Sequence, residues 1–274
     1  MIADFFIGLQ KRIVRSRPKS FLSKMGLYGP IKKTYRALIF WVGKNGLKLK
    51  IGNVSAKVIV SNPNELSLYR SLDNEGEFLR EFLSRIDHQT VFYDIGAHVG
   101  LWSLAAAKNK IVPKFIYCWE PEPHNFKRLR ENIRINNISN IDIFPIALGF
   151  DNALAKMLTN AREPGSLTPT LVEGRGATLV NVVKGDDWVF ENKLHLPSVI
   201  KIDVEGYEFF VLKGLRGVIK KAHPVVFLET HPSHLKKIGL DEKDVLEFME
   251  DLNYKIIFFP LDRREGHYIF EFLG

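Results

Sequence analysis

One strand-to-helix turn constrains the fold of this chain more than any other feature. The stretch VFYDIGAHVGLW (residues 91–102) joins an apolar strand to a helix through Gly96 and Gly100, with Asp94 ahead of them. Glycine permits the left-handed backbone that a tight turn requires, and it lets a ligand approach the main chain closely. The turn therefore predicts an α/β domain with a small polar cofactor near the amino end of that helix.

Apolar strands and helices alternate from Val91 onward. Strands are predicted at 91–95, 115–119, 141–146, 198–203 and 224–228, and helices near 100–108, 123–136 and 206–219. Near-continuous apolar strands that alternate with helices form a parallel sheet covered on both faces, and ligands bind beyond the carboxyl ends of its strands. A helix at 242–252 and the segments YKIIFFP and HYIFEFL then predict an antiparallel hairpin at the sheet edge.

The chain divides into three parts by composition. We predict a basic amphipathic segment at 1–45, a hairpin and helix at 46–90, and one α/β domain at 91–274. LKLKIGNVSAKVIV alternates apolar and polar residues around a Gly52-Asn53 turn, which predicts the hairpin, and residues 66–86 have helical spacing. Residues 160–176 are rich in Gly, Pro, Ser and Thr and predict a loop long enough to act as a lid.

The excess positive charge lies in the N-terminal segment. The first 50 residues contain twelve Lys and Arg against one acid, whereas the rest contains 27 basic and 30 acidic side chains. Bulky apolar groups accompany these cations, so residues 1–43 are expected to bind an anionic membrane surface, to dock on their own domain, or to contact RNA phosphates. The lack of a recognisable RNA-binding motif disfavours nucleic acid.

A cytoplasmic location, peripheral at a membrane if residues 1–43 bind lipid, is expected from two further features. The apolar run ALIFWV has six residues, well short of the roughly 20 needed to cross a bilayer. Cys118 is the single cysteine, and it permits no internal disulfide, which suits a reducing compartment.

The glycine spacing points to the type of cofactor. Gly96 and Gly100 are four residues apart, whereas a dinucleotide fold requires Gly-x-Gly-x-x-Gly. A cofactor without phosphates fits better, with its carboxylate near Gly100 and its ammonium on Asp94. Glu120 ends the next strand, where an acid accepts hydrogen bonds from ribose hydroxyls. The pattern predicts S-adenosylmethionine, with these candidate contacts: Asp94, Gly96, Ala97, His98, Gly100, Glu120, Pro121 and Ala147.

A second acidic element follows the fourth strand. In VIKIDVEGYEFFVLKGL, Asp203 and Glu205 leave the strand as Gly206 opens a helix. Methyl transfer from a sulfonium requires alignment of the acceptor and removal of its proton. The candidate catalytic residues are Asp203, Glu205 and His231, with Asp203 leading for acceptor orientation or as base. A divalent ion held by Asp203 and a neighbouring acid stays open, and no metal ligand is assigned.

The chain resembles the FkbM family of S-adenosylmethionine-dependent methyltransferases. The similar segments, in the family's order, are VFYDIGAHVGLWSLAA, CWEPEPHNFKRLRENIRIN, IFPIALG, GDDW, IKIDVEGYEFFVLKGL and VVFLETH. The resemblance implies a Rossmann-like, seven-stranded class I methyltransferase sheet, mostly parallel with an antiparallel last strand. It also implies O-methylation of a hydroxyl, often on a sugar or a secondary metabolite. His98 departs from the asparagine that the family usually has there.

Three functions stay open at this point. The first is an S-adenosylmethionine-dependent O-methyltransferase that acts on a hydroxyl of a sugar, glycan or lipid-linked glycan, held at a membrane by residues 1–43. The second is an RNA 2′-O-methyltransferase that uses the same segment as a phosphate-binding arm. The third is a non-catalytic binding module with this fold.

Overall fold

A helix and a hairpin open the described part of the chain. The computed structural model describes residues 28–61, 65, 76–158, 177–258 and 266–274. Helix α1 spans Tyr28–Gly43, and strands β1 (Leu47–Ile51) and β2 (Val54–Val58) pair antiparallel around the predicted turn. The hairpin is thus confirmed. Residues 1–27, the first part of the predicted 66–86 helix and the predicted 160–176 loop lie outside the described residues.

The remaining elements alternate as the sequence predicts. The later strands are β3 (Val91–Ile95), β4 (Phe115–Trp119), β5 (Ile141–Phe144), β6 (Ala147–Gly149), β7 (Ala153–Leu158), β8 (Ala177–Lys184), β9 (Val199–Ile202), β10 (Val225–Thr230), β11 (Tyr254–Phe258) and β12 (Gly266–Phe272). The later helices are α2 (Gly76–Ser84), α3 (Leu101–Ala107), α4 (Pro123–Ile135), α5 (Gly185–Glu191), α6 (Glu208–Gly214), α7 (Arg216–Ala222), α8 (Pro232–Leu235) and α9 (Glu242–Glu250).

Seven strands form the main sheet in the order β11-β12-β10-β9-β3-β4-β5. The five strands from β10 to β5 are parallel, and β12 is antiparallel to both β10 and β11. The mostly parallel sheet with a reversed final strand is therefore confirmed. The chain leaves β3 toward β4 and β5 and later returns to β9, so the loops after β3 and β9 diverge at a topological switch point, where α/β sheets bind their ligands.

Alternate side chains of the parallel strands face two separate cores. Phe92 of β3 packs on the side of α2, α3 and the hairpin, whereas Tyr93 and Ile95 face α6, α7 and α9. Both cores are fully buried, which explains why these strands read as continuous apolar runs. The sheet therefore lies between two packed layers, and the loops of the site leave its carboxyl edge.

One predicted helix is wrong in the structure. The sequence predicts a single helix at 206–219, but α6 ends at Gly214 and α7 begins at Arg216, with Leu215 at a φ of −101° and a ψ of 13° between them. The side chain of Asp186 accepts hydrogen bonds from the N–H groups of Gly217 and Val218 at 2.8 Å each. These bonds satisfy donors that a new helix start leaves free, so a tertiary contact stabilises the break.

A small three-stranded sheet was not predicted. Strand β8 lies between β6 and β7, parallel to β6 and antiparallel to β7. The predicted strand at 141–146 accordingly ends at Phe144, and the chain starts β6 three residues later.

Candidate active site

The glycine loop after β3 lies against the end of β9. Gly96 has a φ of 75° and Gly100 a φ of 86°, both in the left-handed region. The N–H groups of Gly96 and Ala97 donate to the carbonyl oxygen of Trp119 at 3.0 Å each, which anchors the loop to β4. A β-carbon on Gly96 would overlap the carbonyl oxygen of Asp203. The packing of the loop therefore requires glycine at this position, independently of any ligand.

His98 lies within the glycine loop in a left-handed conformation, with a φ of 53°. Burial lowers the pKa of its imidazole to about 4, so the ring is neutral at physiological pH. Its buried Nε2 has no hydrogen-bond partner among the described residues. A neutral ring with one unused nitrogen suits a hydrogen bond to a bound ligand.

Glu120 follows β4, and its carboxylate is buried. Each of its oxygens accepts one main-chain hydrogen bond, from His98 N–H at 2.7 Å and from Glu122 N–H at 2.8 Å. Burial raises the pKa of this carboxyl to about 7 against the opposing effect of these bonds. Each oxygen keeps another lone pair, and adjacent Pro121 has no N–H to occupy it. Glu120 can therefore still accept two ligand hydroxyls.

Asp94, near the end of β3, is fully buried. Its Oδ2 accepts a hydrogen bond from Ser103 Oγ at 2.5 Å, whereas Oδ1 has no hydrogen-bond partner within the described structure. Burial raises the pKa of Asp94, and the nearby ammonium of Lys201 opposes that shift. Asp94 thus keeps one oxygen for the ammonium contact that the sequence predicts.

Lys201 is a site residue that the sequence reasoning missed. Its buried Nζ donates to the carbonyl oxygen of Gly96 at 3.0 Å and to Asp203 Oδ2 at 3.2 Å, and it lies 3.7 Å from Asp94 Oδ1. Burial favours the neutral amine, but the carboxylates of Asp203 and Asp94 outweigh it and raise the pKa of Lys201. A lysine inside the apolar strand VIKI was the available signal, because buried lysines require a charged partner.

The three predicted catalytic side chains converge beyond β9 and β10. Nε2 of His231 lies 3.3 Å from Glu205 Oε2 and 4.0 Å from Asp203 Oδ1. One ligand atom from each of the three side chains falls within 4.8 Å of the others. Since Asp203 also bonds Lys201, which bonds Gly96, this cluster is tied directly to the glycine loop.

A buried carboxylate that the sequence reasoning missed orients His231. Glu208 Oε1 lies 2.8 Å from Nδ1 of His231 and accepts the N–H of Gly206 at 2.7 Å. A carboxylate oxygen has no proton to donate, so Nδ1 donates to Glu208, and Nε2 is turned toward Asp203 and Glu205. Glu208 starts α6 in the apolar run EFF, where a fully buried acid signals a specific partner.

The pKa values of the three side chains in this cluster are shifted in different directions. Burial lowers the pKa of His231, but the hydrogen bond to Glu208 and the charge of Glu205 prevail and raise it to about 10. Burial raises the pKa of Glu205 to about 7. Burial has the same tendency at Asp203, but Lys201 and His231 outweigh it and leave the pKa of Asp203 below its usual value.

Two more side chains border the cluster. Glu229, which ends VVFLE in β10, places Oε1 3.9 Å from His231 Nε2, and its Oε2 lies 3.4 Å from Nε2 of His267 in β12. Ala147, by contrast, is the first residue of β6 in the small sheet, where it pairs with Val182. Its predicted contact with an adenine stays a prediction.

The residues present fit S-adenosylmethionine. Asp94 Oδ1 and His98 Nε2 are buried polar atoms without hydrogen-bond partners in the described ranges, and both belong to the strand and loop that carry Gly96. Glu120, on the neighbouring strand end, keeps the acceptor capacity that two ribose hydroxyls require. The predicted donor and acceptor residues therefore lie at one switch point, on the loops after β3 and β9.

This fold and site define a class I methyltransferase that depends on S-adenosylmethionine. The family model described as the Methyltransferase FkbM domain matches residues 94–256, more than half of the chain. The chain belongs to the FkbM methyltransferase family.

Two curated relatives are methyltransferases. The hexuronic acid methyltransferase AglP of Haloferax volcanii is 24% identical over 220 residues, which cover 80% of this chain and 86% of that protein. Methyltransferase 1 of Beauveria bassiana is 25% identical over 142 residues, 44% of this chain and 57% of that protein.

Solved structures are similar at lower identity. The methyltransferase FkbM from Methylobacillus flagellatus KT has a TM-score of 0.47 and 17% identity, over 86% of this chain and 59% of that chain. A methyltransferase from Streptococcus mutans in complex with SAH has a TM-score of 0.45 and 12% identity, over 77% of this chain and 98% of that chain.

Proposed function

We propose that this protein transfers the methyl group of S-adenosylmethionine to a hydroxyl of a sugar, free or within a glycan or a lipid-linked glycan. The observation that carries the proposal is the convergence of Asp203, Glu205 and His231 beside the glycine loop. Polar side chains at this edge suit an acceptor rich in hydroxyl groups, because such an acceptor exchanges hydrogen bonds with carboxylates and an imidazole.

The chain's own residues would align the acceptor and take up its proton. The cofactor supplies an electrophilic methyl group on a sulfonium. As the acceptor oxygen forms its bond to that carbon, the carbon–sulfur bond breaks, and the hydroxyl proton passes to a carboxylate of the cluster. The Lys201 contacts with Gly96 and Asp203 support such alignment, since they fix the distance between the cofactor loop and the acceptor cluster.

The acceptor class is supported by one relative. AglP is, by its name, a hexuronic acid methyltransferase, and it aligns with 80% of this chain. We therefore infer a sugar, and we take a hexuronic acid as the first acceptor to test.

The test is methyl transfer from isotopically labelled S-adenosylmethionine to a panel of hexuronic acid glycosides and neutral glycosides, with mass spectrometry of the products. We expect one labelled methyl group on a hydroxyl oxygen. Asp203→Asn should lower kcat/KM about 10²-fold or more. It should leave the binding of S-adenosylhomocysteine (SAH), the demethylated cofactor, unchanged in calorimetry. Glu250→Gln, at an exposed position of α9, is the control and should keep full activity. Label on nitrogen or carbon, or no transfer to any glycoside, contradicts the proposal.

We further infer that α1 binds an anionic membrane surface. Leu38, Phe40 and Trp41 of this helix are exposed, Trp41 to 66%, and the first 50 residues carry twelve cations against one acid. Exposed aromatic groups beside cations suit the interface of anionic lipids. No helix in the described ranges is long and apolar enough to pass through a bilayer, so α1 would lie on the surface. The cytoplasmic location stays a prediction.

Vesicle sedimentation tests this membrane contact. We expect the chain to pellet with vesicles that contain phosphatidylglycerol and not with pure phosphatidylcholine, and a Phe40→Ala, Trp41→Ala variant should stay in solution. Leu154→Ala removes an apolar side chain of similar exposure in β7 and should pellet as the original chain does. Equal pelleting of both variants would refute the role of α1.

A further inference from the structure

The acceptor cluster has the composition of a metal-binding site. We propose that Asp203, Glu205 and His231 bind one divalent cation of the Mg²⁺ or Mn²⁺ type. The chemical use of this ion rests on the proposed function, whereas its binding does not.

The distances suit a single ion. Metal–ligand bonds of about 2.0–2.3 Å place any two ligand atoms at most about 4.6 Å apart. His231 Nε2 lies 3.3 Å from Glu205 Oε2 and 4.0 Å from Asp203 Oδ1. All three ligand atoms lie within 4.8 Å of one another. Small side-chain rotations are therefore enough to bring them onto one ion.

A buried ring nitrogen is aimed into this cluster. The His231 side chain is 7% exposed. Its Nδ1 is engaged with Glu208, whereas its Nε2 faces Glu205, Glu229 and Asp203 at 3.3, 3.9 and 4.0 Å. A cation bound between these carboxylates would take the place of the Nε2 proton, and the Nε2 lone pair would then be directed at the ion.

Glu208 has the position of a residue that orients a metal-binding histidine. Ligating histidines typically donate their second ring nitrogen to a carboxylate, which fixes the ring and its tautomer. Glu208 is fully buried, and it is itself held by the N–H of Gly206. It is therefore a positioning residue for His231, outside the proposed ligand set.

The ligand set also indicates the class of ion. Two carboxylates and one imidazole favour Mg²⁺ or Mn²⁺ over a structural zinc, whose four-ligand sites are rich in cysteine and histidine. Three protein ligands leave open positions on a six-coordinate ion for acceptor hydroxyls. A coordinated hydroxyl loses its proton more readily, and Glu229, beside the triad, remains free of the ligand set to receive it.

The test is a titration of the untagged full chain with Mn²⁺, without cofactor or acceptor. Electron paramagnetic resonance measures the free Mn²⁺, and the bound Mn²⁺ is the difference from the total. We expect one bound ion per chain. Asp203→Asn and His231→Ala should abolish binding, and Glu208→Gln should weaken it about 10–100-fold. His88→Ala, at the exposed opposite end of the sheet, should bind as the original chain does.

SAH calorimetry on the same samples separates folding from ion binding. A variant is used to judge Mn²⁺ binding only if it keeps its SAH affinity. If His231→Ala does not fold, the test of the cation site rests on Asp203→Asn, because the side chain of Asp203 is partly exposed. No bound Mn²⁺, or equal binding by Asp203→Asn, would overturn the cation site. If the chain binds no Mn²⁺ and still transfers methyl groups in the presence of a chelator, the cation site is overturned and the proposed function stands. If the chain binds one Mn²⁺ but methylates no sugar, the cation site is supported and the proposal of a sugar acceptor is contradicted.

Discussion

Gly96 lies against the carbonyl oxygen of Asp203 so closely that a β-carbon at position 96 would overlap that oxygen. Lys201 reinforces the same contact, since its Nζ bonds both the carbonyl oxygen of Gly96 and the carboxylate of Asp203. The loop expected to hold the cofactor and the cluster expected to hold the acceptor therefore form one packed unit. A larger residue at position 96 should therefore displace the main chain of Asp203 as well.

Gly96→Ala should destabilise the chain far more than its backbone conformation alone predicts. Left-handed backbone costs a non-glycine residue about 1–2 kcal/mol, and the overlap with Asp203 adds to that cost. Gly239 is a matched control, because its φ is 76° against 75° for Gly96 and a β-carbon at position 239 would have nothing within 4 Å. We expect Gly239→Ala to lose about 1–2 kcal/mol of unfolding free energy in urea, and Gly96→Ala to lose more and to bind SAH weakly. Equal losses would contradict a role for the Gly96–Asp203 contact.

Lys201→Met should expose the cost of an unpaired buried charge. It leaves Asp94 without a compensating cation in a fully buried position, for which about 3–5 kcal/mol is the usual loss. Adding Asp94→Asn should recover part of that loss, because it removes the uncompensated charge. Urea unfolding of the two single variants and the double variant measures this coupling. Lys220→Met, on the exposed side of α7, should change little, and purely additive losses would argue against the Lys201–Asp94 interaction.

Asn132→Leu should weaken cofactor binding from outside the site. Asn132 in α4 is fully buried, accepts from Ile59 N–H at 2.9 Å and donates to the carbonyl oxygen of Val99 in the glycine loop at 2.9 Å. Leucine would leave both main-chain groups without partners, at a cost of about 2–5 kcal/mol.

Asn136→Leu is the matched control for that variant. Asn136, one turn later in sequence, bonds the main chain of Lys57 in the hairpin and not the glycine loop. Both variants should unfold at lower urea concentration, but only Asn132→Leu should also lower SAH affinity. Calorimetry that shows equal SAH affinity for the two would contradict the link through Val99.

The sequence predicts local features well and tertiary contacts poorly. The glycine loop and the acid after β4 were predictable, because a tight turn and a strand end are recognised from residues that are neighbours in sequence. Glu208 and Lys201 were not, since a polar side chain in an apolar run is informative only once its partner is known. The break at Leu215 was missed for the same reason, because its stabilising contact comes from Asp186, far back in the chain.

SAH affinity should rise with pH through about 7, because burial raises the pKa of Glu120 to about 7 against the opposing main-chain hydrogen bonds from Glu122 and His98. The ionised carboxylate accepts hydrogen bonds from ribose hydroxyls more strongly than the acid does. Between about pH 8 and about pH 6 we expect a roughly tenfold loss of affinity.

The contribution of Glu120 to the free energy of unfolding changes with pH in the opposite direction to SAH affinity, so the two measurements can be told apart. Glu120 ordinarily has a pKa of 4.5, so between that value and about 7 the folded chain holds a proton that the unfolded chain has released. Its contribution to stability is therefore greatest at low pH and is lost as pH rises through this window. Glu120→Gln should bind SAH weakly with no pH dependence, and it should remove this part of the pH profile of unfolding. A variant that keeps the full pH dependence of SAH affinity in calorimetry would show that another group titrates.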